Sequence, residues 1–318
     1  MKKITAFILC FAILFISTFS VGAVGLSDSI AAANVVAEKR ALRDACIAKG
    51  TSLKLKEMDK DELSEKRQEV FNSLFSGETD IDTAVDELEE LGLYPLESSV
   101  DAYKKYQAEQ NMNRSSSTSL LYNNVIVSYD STDGTWVLGG GVWWGNDSWV
   151  YDIPYMLFPS IGASYTVGGQ DGVGIALYDL SGSYSNCWLV DTWLYVSAGN
   201  GYLATTSHSP TGNFDARYGV FHEFQDYALL IDFNYLTAQS TYLYYGQHMS
   251  VFAKYSSEFV NFHGRARLNY AHTWNNSSIS SVGVNVDASG TAFSGGFNIS
   301  FANNQYGFQT ISPGETLF

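Results

Sequence analysis

Cysteine is scarce in this sequence, and no two of its cysteines form a C-x-x-C pair. The three present, Cys10, Cys46 and Cys187, are too far apart for thiolate metal knuckles or dithiol redox motifs, which need close pairs. Positive charge is scarce where a large ligand would need it. From residue 119 onward the cations are Arg217, Lys254, Arg265 and Arg267, against fourteen acids. Nucleic acid is therefore excluded as a partner, because counterion-release binding needs a basic patch. No G-x-S-x-G turn exposes a catalytic serine. His222-Glu223 starts a zinc-protease motif, yet Asp226 stands where the second histidine belongs. Gly169, Gly172 and Gly174 do not read as a phosphate loop, because Ile175-Ala176-Leu177-Tyr178 continues as strand where a helix is required; a tight β-turn is expected there. No metal site and no cofactor is expected from these patterns.

The N-terminus is rich in what the rest lacks. Lys2 and Lys3 precede an unbroken apolar run from Ile4 to Ala23, the pattern of a secretory signal, and Val21-Gly22-Ala23 offers small residues for cleavage after Ala23. The chain is thus expected to be secreted, with residues 1–23 removed. An uncleaved anchor is the rival reading, since the run is near the length that crosses a bilayer. Cys10 lies mid-run after Leu9, which argues against lipidation. With the signal removed, Cys46 and Cys187 form an even pair that could bridge, although two unrelated buried thiols are the simpler expectation. The formal charge of −15 makes an acidic surface, suited to neutral ligands or cations and repelling anionic polymers and membranes.

Composition changes near residue 114: all seven Trp and all five His lie beyond it. Residues 24–113 form a charged helical segment. Between Asp59 and Phe75 the residues Leu63, Val70, Phe71, Leu74 and Phe75 share one helical face, with Ser76-Gly77 as the stop. A second helix starts at Thr79 or Asp80, turns Ile81, Val85, Leu88 and Leu91 inward, and ends at Gly92 before Pro95. Its acidic run Asp86 to Glu90 reads as a solvated face. Residues 114–120 are a polar linker.

Residues 121–318 are short β-branched and aromatic runs separated by turn residues, the pattern of an antiparallel β-sandwich or barrel. The clearest hairpin runs from Ile279 to Phe301. Val282, Val284 and Val286 alternate on one arm, Asp287 to Gly290 turns, and Phe297, Ile299 and Phe301 alternate on the other. Such a hairpin also suits a membrane-inserting toxin, but ordinary half-buried hairpins look the same.

With Gly168-Gly169-Gln170-Asp171-Gly172-Val173-Gly174-Ile175 and Tyr270-Ala271-His272-Thr273-Trp274, the layout resembles exported, uncharacterised proteins of Gram-positive bacteria. The resemblance implies export and a β domain, and brings no activity with it.

Candidate sites follow from residue chemistry. Trp143, Trp144 and Trp149 lie close to Asn146 and Asp147. Flat rings beside short hydrogen-bonding side chains suit stacking on sugars, whereas core packing is the alternative use of the rings. Adjacent Trp143 and Trp144 point to opposite faces of a strand, so one sheet face buries only one of them. Glu223 and Glu258 are the weak catalytic candidates, as the pair of carboxylates a glycan hydrolase needs. His222, His248, His263 and His272 are scattered, but strands can gather distant residues into a metal site. The expected function is a secreted non-catalytic binding protein for carbohydrate, another neutral ligand or a cell-surface partner. The alternatives are a membrane-active or toxin-like β protein and a glycan hydrolase.

Overall fold

The computed structural model describes residues 23–113, 120–146, 160–182, 184–198, 204–212, 215–234, 236–237, 239–275, 277–286 and 292–318. The N-terminal third is helical: α1 (Ala23–Lys49), α2 (Leu53–Glu57), α3 (Lys60–Ser76), α4 (Ile81–Glu90) and α5 (Glu97–Asn113). The Asp59 carboxylate caps α3 by accepting from the N–H groups of Asp61 and Glu62, and Gly77 ends it in the left-handed region at φ +79. Asp80 caps α4 in the same way. The inward faces are close to those the spacing predicts: Leu63, Phe71, Leu74 and Phe75 from α3, and Ile81, Ala84 and Leu88 from α4. Asp86, Glu87, Glu89 and Glu90 are exposed.

Between α4 and α5 the chain forms a short strand that the sequence reading missed, β1 (Leu93–Pro95). The remaining strands are β2 (Leu120–Tyr122), β3 (Ile126–Asp130), β4 (Thr135–Trp144), β5 (Ser164–Gly182), β6 (Leu189–Ser197), β7 (Thr205–Ser207) and β8 (Gly219–Asn234). They continue with β9 (Gln239–Tyr245), β10 (His248–Tyr255), β11 (Phe262–Thr273), β12 (Ile279–Val286), β13 (Ala292–Phe301), β14 (Gly307–Ile311) and β15 (Thr316–Leu317).

Two open antiparallel sheets pack into a sandwich. The first has the order β1-β3-β4-β10-β6-β7, with β2 also beside β4; the second has the order β14-β11-β5-β8-β9, with β15 beside β11. Their facing residues form the core, in which Trp136, Leu138, Val142 and Trp144 of β4 meet Val173, Ile175 and Leu177 of β5 and Leu268 and Tyr270 of β11. The three glycines of β4 are packing devices. A Cβ on Gly140 would stand 2.8 Å from Leu268 across the sandwich, while on Gly139 and Gly141 it would meet Phe252 at 2.7 Å and Phe75 at 2.6 Å. Close approach on both faces of one strand leaves no room for a side chain.

Each sheet is covered on its outer face. On the first sheet Phe71, Leu74 and Phe75 of α3 pack against Ile126, Val137 and Phe252, and Trp193 stacks on Phe252 at 4.9 Å. The helical segment therefore contributes both an edge strand and a covering layer. On the second sheet the β12–β13 hairpin lays Val282, Phe297 and Ile299 over Ala176, Phe221 and Ala271. The alternation seen in its sequence thus serves packing. The turn at 287–290 lies outside the described residues.

Helix α1 inserts one charge into this core. Lys39 is fully buried, its Nζ donates to the carbonyls of Phe259 (3.0 Å) and Phe262 (2.5 Å), and it lies 4.6 Å from the Phe259 ring centroid. Burial pulls its pKa down to about 7. Cys46 and Cys187 are both free and buried, and burial pushes each thiol up to about 11.

Candidate functional site

The residues with chemistry left over meet inside one end of the sandwich. Three neighbouring strands of the second sheet supply them: Asp171 from β5, Asp226 from β8, and Tyr270 and His272 from β11. Trp144, the last residue of β4, covers them from the first sheet. Local backbone explains the placement. Where the sequence suggested a tight turn at Gly169, Gly172 and Gly174, β5 runs through all three as strand and bulges at its start: its register with β8 shifts between Thr166 and Gln170, and Gly168 takes φ +64. A Cβ on Gly169 would lie 2.0 Å from the Ser277 carbonyl oxygen and 2.2 Å from Thr273 Oγ1. Only glycine lets β5 approach the end of β11 so closely.

The Asp171 carboxylate accepts from the Thr273 N–H at 2.8 Å through Oδ1, and from His272 Nδ1 at 2.8 Å and the Tyr270 hydroxyl through Oδ2. Trp144 Nε1 donates to the Tyr270 hydroxyl at 3.1 Å. Rings of Trp144, Tyr270, Trp274 and Phe308 surround His272, with centroids 5.4 to 6.3 Å away. Asp226 receives Gln225 Nε2 on Oδ1 at 3.3 Å. Burial, with the Asp171 charge beside it, pushes the Asp226 carboxyl well above the usual carboxylate range. Asp171, Asp226 and His272 are 1%, 0% and 2% exposed. Among the described residues, Asp226 Oδ2 and His272 Nε2 have no hydrogen-bond partner.

Of the tryptophan region, Trp144 lies in the core and Trp143 is half-buried on the opposite face, beside Leu121 and His248. That division follows strand alternation. Asn146 is exposed, while Asp147 and Trp149 lie outside the described residues. Glu223 is half-buried on β8, its carboxyl raised by burial. Glu258 sits in a 3-10 helix at Ser257–Asn261 and accepts from Asn261 at 3.2 Å. Glu223 stands opposite Gly172 of β5, whereas Glu258 lies just before Phe262, which stands opposite Gly182 at the end of the same strand. His222 is buried against Thr192 Oγ1 at 2.8 Å with its pKa lowered to about 4, and His248 lines a cleft of about 200 Å³ between α3 and the first sheet. Only His272 among the four histidines meets carboxylates in such a cluster among the described residues.

A second feature lies next to the cluster. Along β8 the alternate residues after Asp226 are Ala228 and Leu230, both fully buried. Tyr165 of β5 and Tyr244 of β9 stand opposite Ala228, and Tyr242 stands opposite Leu230. These three half-buried rings form a strip, with centroids 6.4 Å apart for Tyr165 and Tyr242 and 6.1 Å apart for Tyr242 and Tyr244. Sequence reasoning missed the strip and both aspartates. The signal for the tyrosines was alternation of Tyr242 with Leu243 and Tyr244; nothing local marked the aspartates. No helix of the described residues is long and apolar enough to cross a membrane. No known protein family matches the chain, and no curated protein sequence matches it.

Proposed function

We propose that the chain is an exported, non-catalytic binding protein of the β-sandwich type that takes a neutral ligand, carbohydrate before others, free or on a cell surface. The observation that carries this reading is the strip of Tyr165, Tyr242 and Tyr244, which runs along β8 directly from the buried polar cluster. Aromatic area beside a few placed polar groups is the composition of a sugar-binding surface. The acidic surface suits an uncharged ligand. Export rests on the leader sequence, and N-terminal sequencing of secreted material should find Val24 first.

Retention on immobilised polysaccharides, or signal on a glycan array, tests the binding reading. Wild-type protein should be retained without releasing product, and Tyr165→Ala or Tyr242→Ala should weaken retention while the fold stays intact. Release of reducing ends that is lost with Glu223→Gln or Glu258→Gln would replace this reading with hydrolysis. A membrane-active reading has one observation in its favour: Leu236, beyond the end of β8, is 97% exposed, and Ile161 and Ile231 are exposed nearby. Leakage of dye-loaded liposomes, abolished by Leu236→Asp, would establish that reading instead.

A further inference from the structure

We propose that Asp171, Asp226 and His272 together bind one divalent transition-metal ion, zinc or manganese, inside the sandwich. The inference stands apart from the glycan reading, because it concerns the buried cluster and not the tyrosine strip. One ligating atom from each of the three residues lies within 4.8 Å of the others. Ligands about 2.0–2.2 Å from a shared ion stand roughly 3–4 Å apart, so small side-chain adjustments close the site.

An unpartnered atom is the second observation. Asp226 Oδ2 is buried without a hydrogen bond among the described residues, although buried polar atoms are nearly always satisfied. Asp171 is prepared as a supporting ligand. A carboxylate has about four lone-pair sites, and three are filled by Thr273 N, Tyr270 Oη and His272 Nδ1. Asp171 Oδ2 and His272 Nδ1, 2.8 Å apart, are spaced as two ligands of one ion, which would take the place of the proton they share.

Charge points the same way. The cations of the β region are engaged elsewhere: Lys254 with Asp130 and Asp133, Arg265 and Arg267 with Glu315, and Arg217 with Asp215. No Lys or Arg pairs with Asp171 or Asp226 among the described residues, and buried carboxylates require a counter-charge or neutralisation. A dication supplies it. Two carboxylates and an imidazole are an oxygen and nitrogen set that suits manganese, iron or zinc, whereas calcium takes oxygen ligands alone.

The experiment uses the full exported chain, stripped with chelator, incubated separately with zinc, manganese and calcium chlorides, desalted, and assayed for bound metal and thermal midpoint. Zinc or manganese should remain at one equivalent per chain and raise the midpoint. Asp226→Asn and His272→Gln should lose that equivalent and the metal-dependent shift, while Asp191→Asn, a half-exposed acid elsewhere, retains both. Folding of each variant is checked by its metal-free melt; where His272→Gln fails to fold, the near-isosteric Asp226→Asn decides. Absence of a retained equivalent in wild type, retention of calcium alone, or retention of zinc or manganese unchanged by Asp226→Asn would overturn the site.

Discussion

Among the described residues, carboxylates are buried in two places and treated differently. Asp130, at the end of β3, is 1% exposed and receives Arg67 through two hydrogen bonds, at 2.8 and 2.9 Å, with Lys254 at 3.4 Å. Burial would raise its carboxyl, but the Arg67 guanidinium overrides that and holds it below the usual range. Asp171 and Asp226, equally buried, have no such cation among the described residues, and the Asp226 carboxyl moves upward. A buried charge completed by the chain's own residues is part of the fold. One left incomplete is a place where something else belongs.

Breaking the completed site should have the largest effect. Arg67→Met leaves Asp130 buried without its main partner and should cost about 3–5 kcal/mol, read from the denaturant midpoint. A loss below about 1 kcal/mol would mean Lys254 suffices. Trp144→Ala removes the cover of the other site and should cost a similar 3–5 kcal/mol through the cavity it leaves, whereas half-buried Trp143→Ala should cost clearly less. Equal losses at both positions would show that the outer face of β4 is as enclosed as its inner face.

Lys39 sharpens the comparison as a buried cation held by two backbone carbonyls. Its folded pKa of about 7 lies below the ordinary lysine value of 10.5. Between those values the unfolded chain binds more protons, so this contribution to stability grows as pH rises and is lost toward pH 7. Stability should increase by about 2 kcal/mol from pH 7 to pH 9, and Lys39→Met should abolish that slope. A slope that persists in Lys39→Met would assign it to other groups. The smallest effect belongs to the incomplete site: without metal, Asp226→Asn should change stability by less than about 1 kcal/mol, or raise it, because it removes a buried acid that lacks a cation. A large destabilisation on metal-free protein would show that the carboxyl is held by the fold after all.

Much of the fold was legible because its causes are local. The helix start at Asp80, the Gly77 stop and the helical spacing of Phe71, Leu74 and Phe75 marked α3 and α4 in the sequence. Period-two alternation fixed the β12–β13 hairpin. β1 was missed because three residues between helices carry no period of their own; pairing of Leu93 with Asp130 makes them a strand. The segments Gly168 to Ile175 and Tyr270 to Trp274 had no readable connection in the sequence. They turn out to be neighbouring strands that join Asp171 to His272 across 101 residues of chain.

The sequence by itself determined the β class, the helical caps, the acidic surface and the split of Trp143 from Trp144, since each depends on neighbours a few positions away. Only the tertiary structure decided which buried charges are paired. Arg67 reaches Asp130 from 63 positions away, and Asp171, Asp226 and His272 meet because three strands lie side by side. Hydrogen bonding across strands sets those distances, and nothing in local spacing encodes them.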